Sequence, residues 1–230
     1  MAVPLAVIFD MDGVLIDSYD AHYESWRRLA AEQGAPYTRE QFARSFGRTS
    51  REILAEQWPV PMAAAEIPAA DRRKEELYRR IIRADYPGMA GAVELVRALH
   101  GAGFALAIGS SGPRANIEVV LEQTGAGGLF GAVVSGEDVH RGKPDPEIFQ
   151  IAAARLGVAP DRCAVIEDAP LGVEAARRAG MTPIALTGTA TREQLAGAAL
   201  VVDRLDELSP ERIAECLRGG GAPATDRPIV

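Results

Sequence analysis

A chain of 230 residues is long enough for one large domain or for a core domain carrying a smaller insert. With 47% hydrophobic and 25% charged residues it has the balance of a soluble globular protein, and a formal net charge of -7 argues against a nucleic-acid-binding surface. No basic-then-apolar leader opens the chain and no apolar run is long enough to span a bilayer. A cytoplasmic protein is therefore expected, a monomer or weak homodimer with no membrane partner.

The first element is a buried strand. Leu5 to Phe9 is a short apolar run after Pro4, rich in β-branched residues, and it stops on Asp10-Met11-Asp12-Gly13. Asp20 to Gly34 then carries Tyr23, Trp26, Leu29 and Ala30 near helical spacing and predicts a helix ended by Gly34. Thr38-Arg39-Glu40-Gln41 resembles a capping box that opens a second helix through Ser45. A break at Gly47-Arg48-Thr49-Ser50 precedes a third, with Ile53 and Leu54 facing inward. Pro59, Pro61 and Pro68 punctuate the stretch after that helix. Ala69 to Arg83 predicts a long charged helix with Leu77, Tyr78, Ile81 and Ile82 on one side. No strand pattern appears between Ser18 and Asp85, so this block reads as all-helical.

At Tyr86-Pro87-Gly88 the character changes. Val93 to Leu99 predicts a helix and Phe104 to Ile108 a second buried strand, ending on Gly109-Ser110-Ser111-Gly112. Pro113 suits the first turn of a helix running to Gln123. Ala132 to Val134, Ala164 to Ile166, Pro183 to Leu186 and Leu200 to Val202 are short strands. Helices are predicted at Pro146 to Leu156, Leu171 to Ala179 and Pro210 to Leu217. Cys163 opens an apolar run and reads as a buried free thiol, with Cys216 far away in no metal-like spacing. The arginine runs read as solvated helix faces. Gly219-Gly220-Gly221 opens an end expected to be mobile.

Alternating strands and helices argue an α/β doubly wound parallel sheet. The expected division is a core of residues 1–17 and 87–217, an inserted helical cap of residues 18–86, and a tail of residues 218–230. An insert at the carboxyl end of strand one would lie over any site there and act as a lid.

Four polar features fall at strand or loop ends: Asp10 with Asp12, Ser110 with Ser111, Lys143, and Glu167 with Asp168. Parallel strands bring such ends to one edge of the sheet. Each has an ordinary alternative, namely a loop, a surface lysine or a helix start. Together they have the parts of a phosphoryl-transfer site. A hydroxyl and backbone amides near a helix start hold phosphate oxygens. A lysine neutralises both phosphate and an attacking carboxylate. Clustered carboxylates hold magnesium. One aspartate attacks phosphorus while a second acid moves protons.

The pattern resembles the haloacid dehalogenase superfamily, in the branch containing β-phosphoglucomutase and many sugar-phosphate phosphatases. The matching pieces are Phe9 to Ser18, Gly109-Ser110-Ser111, Gly142-Lys143-Pro144-Asp145-Pro146-Glu147-Ile148-Phe149 and Ile166 to Gly172. The resemblance implies a Rossmann-like core and a helical cap. It implies Asp10 as the phosphorylated nucleophile and a magnesium ligand. Asp12 would be the general acid/base, giving its backbone carbonyl to the metal. Ser110 would bind the transferring phosphoryl group, with Ser111 at the substrate and Lys143 bridging that phosphoryl group and Asp10. Asp168 would be a metal ligand and Glu167 a second ligand or a support for the ligands.

In the cap, His22, Arg51 and Lys74 fall where members of this branch contact substrate. Their alternatives are a half-buried helix residue for His22 and surface salt pairing for Arg51 and Lys74. His100 and His140 lie in no motif and read as structural. The implied activity is a magnesium-dependent phosphatase acting on a small phosphorylated metabolite, most simply a sugar phosphate, through an aspartyl phosphate. A β-phosphoglucomutase-type isomerase and a non-catalytic binding protein on the same fold are the alternatives.

Overall fold

The computed structural model describes residues 4–45 and 49–219. They form two compact units: a helical one spanning Ser18–Pro87, and one built from the chain on either side of it.

The helical unit holds α1 (Tyr19–Glu32), α2 (Arg39–Ser45), α3 (Ser50–Glu56) and α4 (Ile67–Ala84). Local signals set where these helices begin. The Thr38 N–H donates to Gln41 Oε1 at 2.8 Å and the Gln41 N–H returns to Thr38 Oγ1 at 3.2 Å, which caps α2. Thr49 and Glu52 make the same reciprocal pair for α3. Gly47 and Arg48, in the expected break before α3, lie outside the described residues. Pro68 sits in the first turn of α4, where its missing N–H has no helical partner to lose, so α4 starts before the expected Ala69. Trp26, Leu29 and Ala30 of α1 pack with Phe42, Ile53, Leu54 and Leu77 to form this unit's core. The rings of Trp26 and Tyr37 both lie 5.3 Å from that of Trp58. Such aromatic pairs add about 0.5–1.5 kcal/mol each beyond area burial.

The other unit is a six-stranded sheet with helices on both faces. Its strands are β1 (Ala6–Phe9), β2 (Ala105–Gly109), β3 (Ala132–Val134), β4 (Cys163–Glu167), β5 (Thr182–Leu186) and β6 (Leu200–Val202). They lie in the order β3-β2-β1-β4-β5-β6 and every neighbouring pair is parallel. This is the doubly wound parallel sheet that the alternation predicts. Its helices are α5 (Ala92–Gly101), α6 (Arg114–Thr124), α7 (Glu147–Leu156), α8 (Pro170–Arg178) and α9 (Pro210–Arg218). Pro113 and Pro146 cap α6 and α7 from outside and do not lie in their first turns.

The pleat sends alternate residues to opposite faces. Ala6, Ile8, Ala107, Cys163 and Val165 pack under Ile148, Phe149 and Ala152 of α7 and Ala175 and Ala176 of α8. Val7, Phe9, Leu106, Ile108, Ala164 and Ile166 point the other way and are just as buried. Burial on both faces is why the strands read as unbroken apolar runs. Cys163 is free and buried, and burial pushes its thiol up to about 11. Among the described residues no helix is long and apolar enough to cross a membrane. α9 includes Arg218, and residues 220–230, where the tail is expected, lie outside the described part.

Candidate active site

β1 is flanked by β2 on one side and β4 on the other, so the strand order reverses at its end. Ligands of open α/β sheets gather at such a switch point. Phe9 pairs with Ile108 and with Ile166, so the next residues, Asp10, Gly109 and Glu167, emerge side by side. The Asp10 N–H donates to Ile166 O at 2.9 Å and prolongs the pairing by one residue.

Past Asp10 the chain turns back at once. The Leu15 N–H bonds to Met11 O at 2.8 Å and the Gly13 N–H to Ile16 O at 2.8 Å. Gly13 has a φ of 73°, in the left-handed region, and a Cβ on it would overlap the Asp168 carboxylate. Two constraints, conformation and space, therefore demand glycine here. Asp12 is half-buried on this anchored loop, and its charge adds to the rise in the Asp10 pKa.

The Lys143 ammonium lies 3.0 Å from Asp10 Oδ1 and 2.6 Å from Glu167 Oε1, over the Phe149 ring at 5.0 Å from its centroid. Its side chain is only 9% exposed. Burial alone would lower its pKa, but the carboxylates of Asp10 and Glu167 outweigh that and hold it above the ordinary lysine value. The loop that carries Lys143 is closed from outside. Glu147 Oε2, in the first turn of α7, accepts the N–H groups of His140 and Arg141, each at 2.9 Å, while Oε1 lies 2.9 Å from His140 Nδ1. The Asp145 N–H donates to Gly142 O at 3.0 Å. Upstream, Asp138 accepts from the Ser135 hydroxyl at 2.7 Å and pairs with Arg155 at 2.7 Å, which fixes the turn after β3.

Glu167 is engaged through both oxygens. Oε1 takes Lys143, and Oε2 takes the N–H groups of Asp168 and Ala169, each at 2.8 Å, where α8 begins. Gly172 gives it room, since a Cβ there would overlap that carboxylate. Glu167 therefore serves first to seat the lysine.

One oxygen each from Asp10, Glu167 and Asp168 lies within 4.8 Å of the others, and all three residues are buried. Burial pushes Asp10 up to about 7, with Glu167 and Asp12 adding to the rise and Lys143 opposing it. Burial, then Glu167 and Asp10, hold Asp168 well above the carboxylate range, against a hydrogen bond from Thr189. Acids that are expensive to ionise in this arrangement suit a hard divalent cation, whose charge relieves both effects. The donor set fits magnesium. Asp12 is outside this carboxylate group; its expected contribution is a backbone carbonyl.

Ser110 follows β2 at the same sheet edge. It is fully buried, its N–H donates to Val134 O at 3.0 Å, and its hydroxyl accepts from the Gly112 N–H at 3.1 Å. Ser111 beside it is exposed. In the helical unit, Lys74 is buried, not at the surface, and its Nζ lies 2.9 Å from His22 Nδ1. Arg51 is exposed and pairs with Asp71 at 3.1 Å, the surface salt pairing that is its alternative reading.

Glu147, Thr189 and Glu75 carry no role that the sequence alone assigns. Glu147 stands inside the lysine segment, so its nearness to Lys143 is visible there. Thr189 lies in a loop after β5 with no motif around it. Glu75 is a buried acid next to Lys74, indistinguishable in the sequence from the many charges of α4.

Residues 4–180 match the haloacid dehalogenase-like hydrolase family. The validoxylamine A 7'-phosphate phosphatase of Streptomyces hygroscopicus is 36% identical over 205 residues, which is 87% of this chain and 94% of the relative. The phosphorylated carbohydrates phosphatase of Thermotoga maritima is 37% identical over 187 residues, 78% of this chain and 83% of the relative. The crystal structure of β-phosphoglucomutase from Clostridium difficile superposes with a TM-score of 0.81 at 27% identity, covering 94% of this chain and 98% of that one. The acid pair after β1, the seated lysine and the acids after β4 thus occur in a chain that belongs to the haloacid dehalogenase-like hydrolase family, in its β-phosphoglucomutase and sugar-phosphate phosphatase branch.

Proposed function

We propose that this protein is a magnesium-dependent phosphatase that hydrolyses a small phosphorylated metabolite, a sugar phosphate or a related polyol phosphate, through an aspartyl phosphate on Asp10. The observation that carries this reading is the seating of Lys143 between Asp10 and Glu167 at 3.0 and 2.6 Å. That arrangement keeps a buried carboxylate ionisable beside the place where phosphate oxygens would gather.

The residues then divide the work. Asp10 attacks phosphorus and forms the acyl phosphate as the ester P–O bond breaks. Asp12 gives its proton to the leaving alkoxide. In the second half Asp12 takes a proton from water, which attacks phosphorus and releases inorganic phosphate and the Asp10 carboxylate. Lys143 steadies Asp10 and the phosphoryl oxygens, and Ser110 offers its hydroxyl to the phosphoryl group. Asp10 and Asp168, with Glu167 beside them and the Asp12 carbonyl, would hold magnesium, which would supply positive charge against the phosphate oxygens. His22 and Lys74 of the helical unit, with Arg51 and Ser111, are the residues proposed to hold the rest of the substrate.

The second reading is a β-phosphoglucomutase-type isomerase, favoured by the 2.9 Å contact of His22 with Lys74 at positions singled out from that resemblance. The two are separated by incubating the protein and magnesium with β-glucose 1-phosphate and a bisphosphate primer. A phosphatase releases inorganic phosphate. Glucose 6-phosphate formed without net phosphate release would establish the isomerase.

A further inference from the structure

β2 ends on the serine loop, and its neighbour β3 ends on a turn, Ser135 to Asp138, that lies against that loop. The Ser110 N–H donates to Val134 O and the Gly136 N–H to Gly112 O, each at 3.0 Å. The fit is close: a Cβ on Gly136 would stand 2.3 Å from Ser111 O. The turn is gathered on the Asp138 carboxylate. Oδ2 accepts the Ser135 N–H at 2.9 Å, the Ser135 hydroxyl at 2.7 Å and the Arg114 guanidinium at 3.0 Å, while Oδ1 accepts Arg155 at 2.7 Å. The Asp138 N–H returns to Ser135 O at 3.0 Å. Arg114 opens α6, and Arg155, near the end of α7, also donates to Val133 O at 2.6 Å.

Stability alone is a weak account of this arrangement. The two arginine side chains are 41% and 40% exposed, and ion pairs at such sites contribute little. The order of the contacts says more. Two helices hold Asp138, and Arg155 foremost, then the Ser135 groups, keep its carboxyl well below the usual carboxylate range. Asp138 in turn holds Ser135, which is fully buried, and with it the turn. Gly136 holds the carbonyl of Gly112, and the Gly112 N–H donates to Ser110 Oγ at 3.1 Å. That last bond fixes the hydroxyl oxygen through a lone pair and leaves its one proton for an acceptor. The series of contacts therefore ends on the atom proposed to meet the phosphoryl group.

We propose that Asp138 is a positioning residue for phosphoryl transfer: through Ser135, Gly136 and Gly112 it aims the Ser110 hydroxyl, and so sets how tightly the site holds the transferring phosphoryl group. Asp138 itself touches no reacting atom. The lysine segment that follows it has its own anchor in Glu147, so the two acids serve different loops. This rests on the phosphatase reading, in which Ser110 contacts the phosphoryl group.

The test is a double-mutant cycle of Asp138→Asn and Ser110→Ala in the magnesium-loaded protein. It reads the binding of inorganic phosphate by calorimetry and the turnover of p-nitrophenyl phosphate. Asp138→Asn keeps the shape but turns an amide toward two arginines and the Ser135 donors. Alone it is expected to weaken phosphate binding and to lower kcat, each about tenfold. In the Ser110→Ala background its further effect is expected to fall below about twofold, because the hydroxyl that it aims is gone. A general loss of structure would instead act equally in both backgrounds. Should Asp138→Asn fold poorly, Ser135→Ala removes one donor to Asp138 and is expected to weaken phosphate binding about threefold, again only while Ser110 is present. Equal losses in the two backgrounds overturn the proposal. So does wild-type phosphate affinity in a folded Asp138→Asn protein. A wild type that binds no phosphate and leaves p-nitrophenyl phosphate intact overturns the phosphatase reading itself.

Discussion

Lys143 Nζ and Asp10 Oδ1 lie 3.0 Å apart at the end of the central strand, and yet Asp10 remains raised from 3.8 to about 7. Burial outweighs the lysine. The folded protein without metal therefore holds the Asp10 proton more tightly than the unfolded chain does. A group raised in this way contributes stability that is complete below its unfolded value and is lost as pH climbs through the folded one. The metal-free protein should lose melting temperature from about pH 4 to about pH 7 through this group, and Asp10→Asn should flatten that part of the curve. Magnesium should restore stability at the upper end, because it binds the ionised acids. Thermal unfolding across pH, with and without magnesium, measures all three. Parallel curves for the wild type and the variant would show that Asp10 does not titrate in this window.

Gly172 is the space into which the Glu167 carboxylate fits. Gly172→Ala should push that carboxylate away from Lys143 and from the two N–H groups that it accepts. Overpacking of this kind destabilises by about 1–3 kcal/mol. The variant should therefore melt lower and turn over more slowly even at temperatures where it is folded. A variant with wild-type turnover would mean that Glu167 does not seat the lysine.

Glu147 holds the lysine loop by its backbone, at His140 and Arg141. Glu147→Ala frees both N–H groups and should lower kcat about 10- to 100-fold, because a small displacement of a group close to the reacting atoms is enough. KM should change less. Glu147→Gln keeps an acceptor oxygen and should retain most of the turnover. Steady-state kinetics of the two variants checks this. If alanine and glutamine behave alike, the loop is held by other contacts.

The features legible in the sequence are those set by local chemistry. β1 is legible because both of its faces are buried, so Ala6 to Phe9 leave no polar gap before Asp10. The capping boxes at Thr38 and Thr49 need only residues three apart. The convergence of Asp10, Lys143, Glu167 and Asp168 is inferable because parallel strands must end at one edge. The features that escape depend on packing between elements. His22 and Lys74 are 52 residues apart and meet only because α1 lies against α4. Thr189 reaches Asp168 from the loop after the next strand, and no spacing announces it. Arg51 could stand beside a ligand or an acid, and the partner that the structure gives it, Asp71, lies one helix away. Pro68 shows a smaller limit: the same residue breaks a helix or starts one, and only its position tells which.

Phosphorylation of Asp10 is the central claim. The direct measurement is a rapid acid quench of the magnesium-loaded protein during turnover of a radiolabelled phosphate ester, followed by proteolysis and mass spectrometry. Label on the peptide containing Asp10, absent from Asp10→Asn, is the predicted result. Turnover with the label on another residue, or turnover in the Asp10→Asn protein at the wild-type rate, would contradict it.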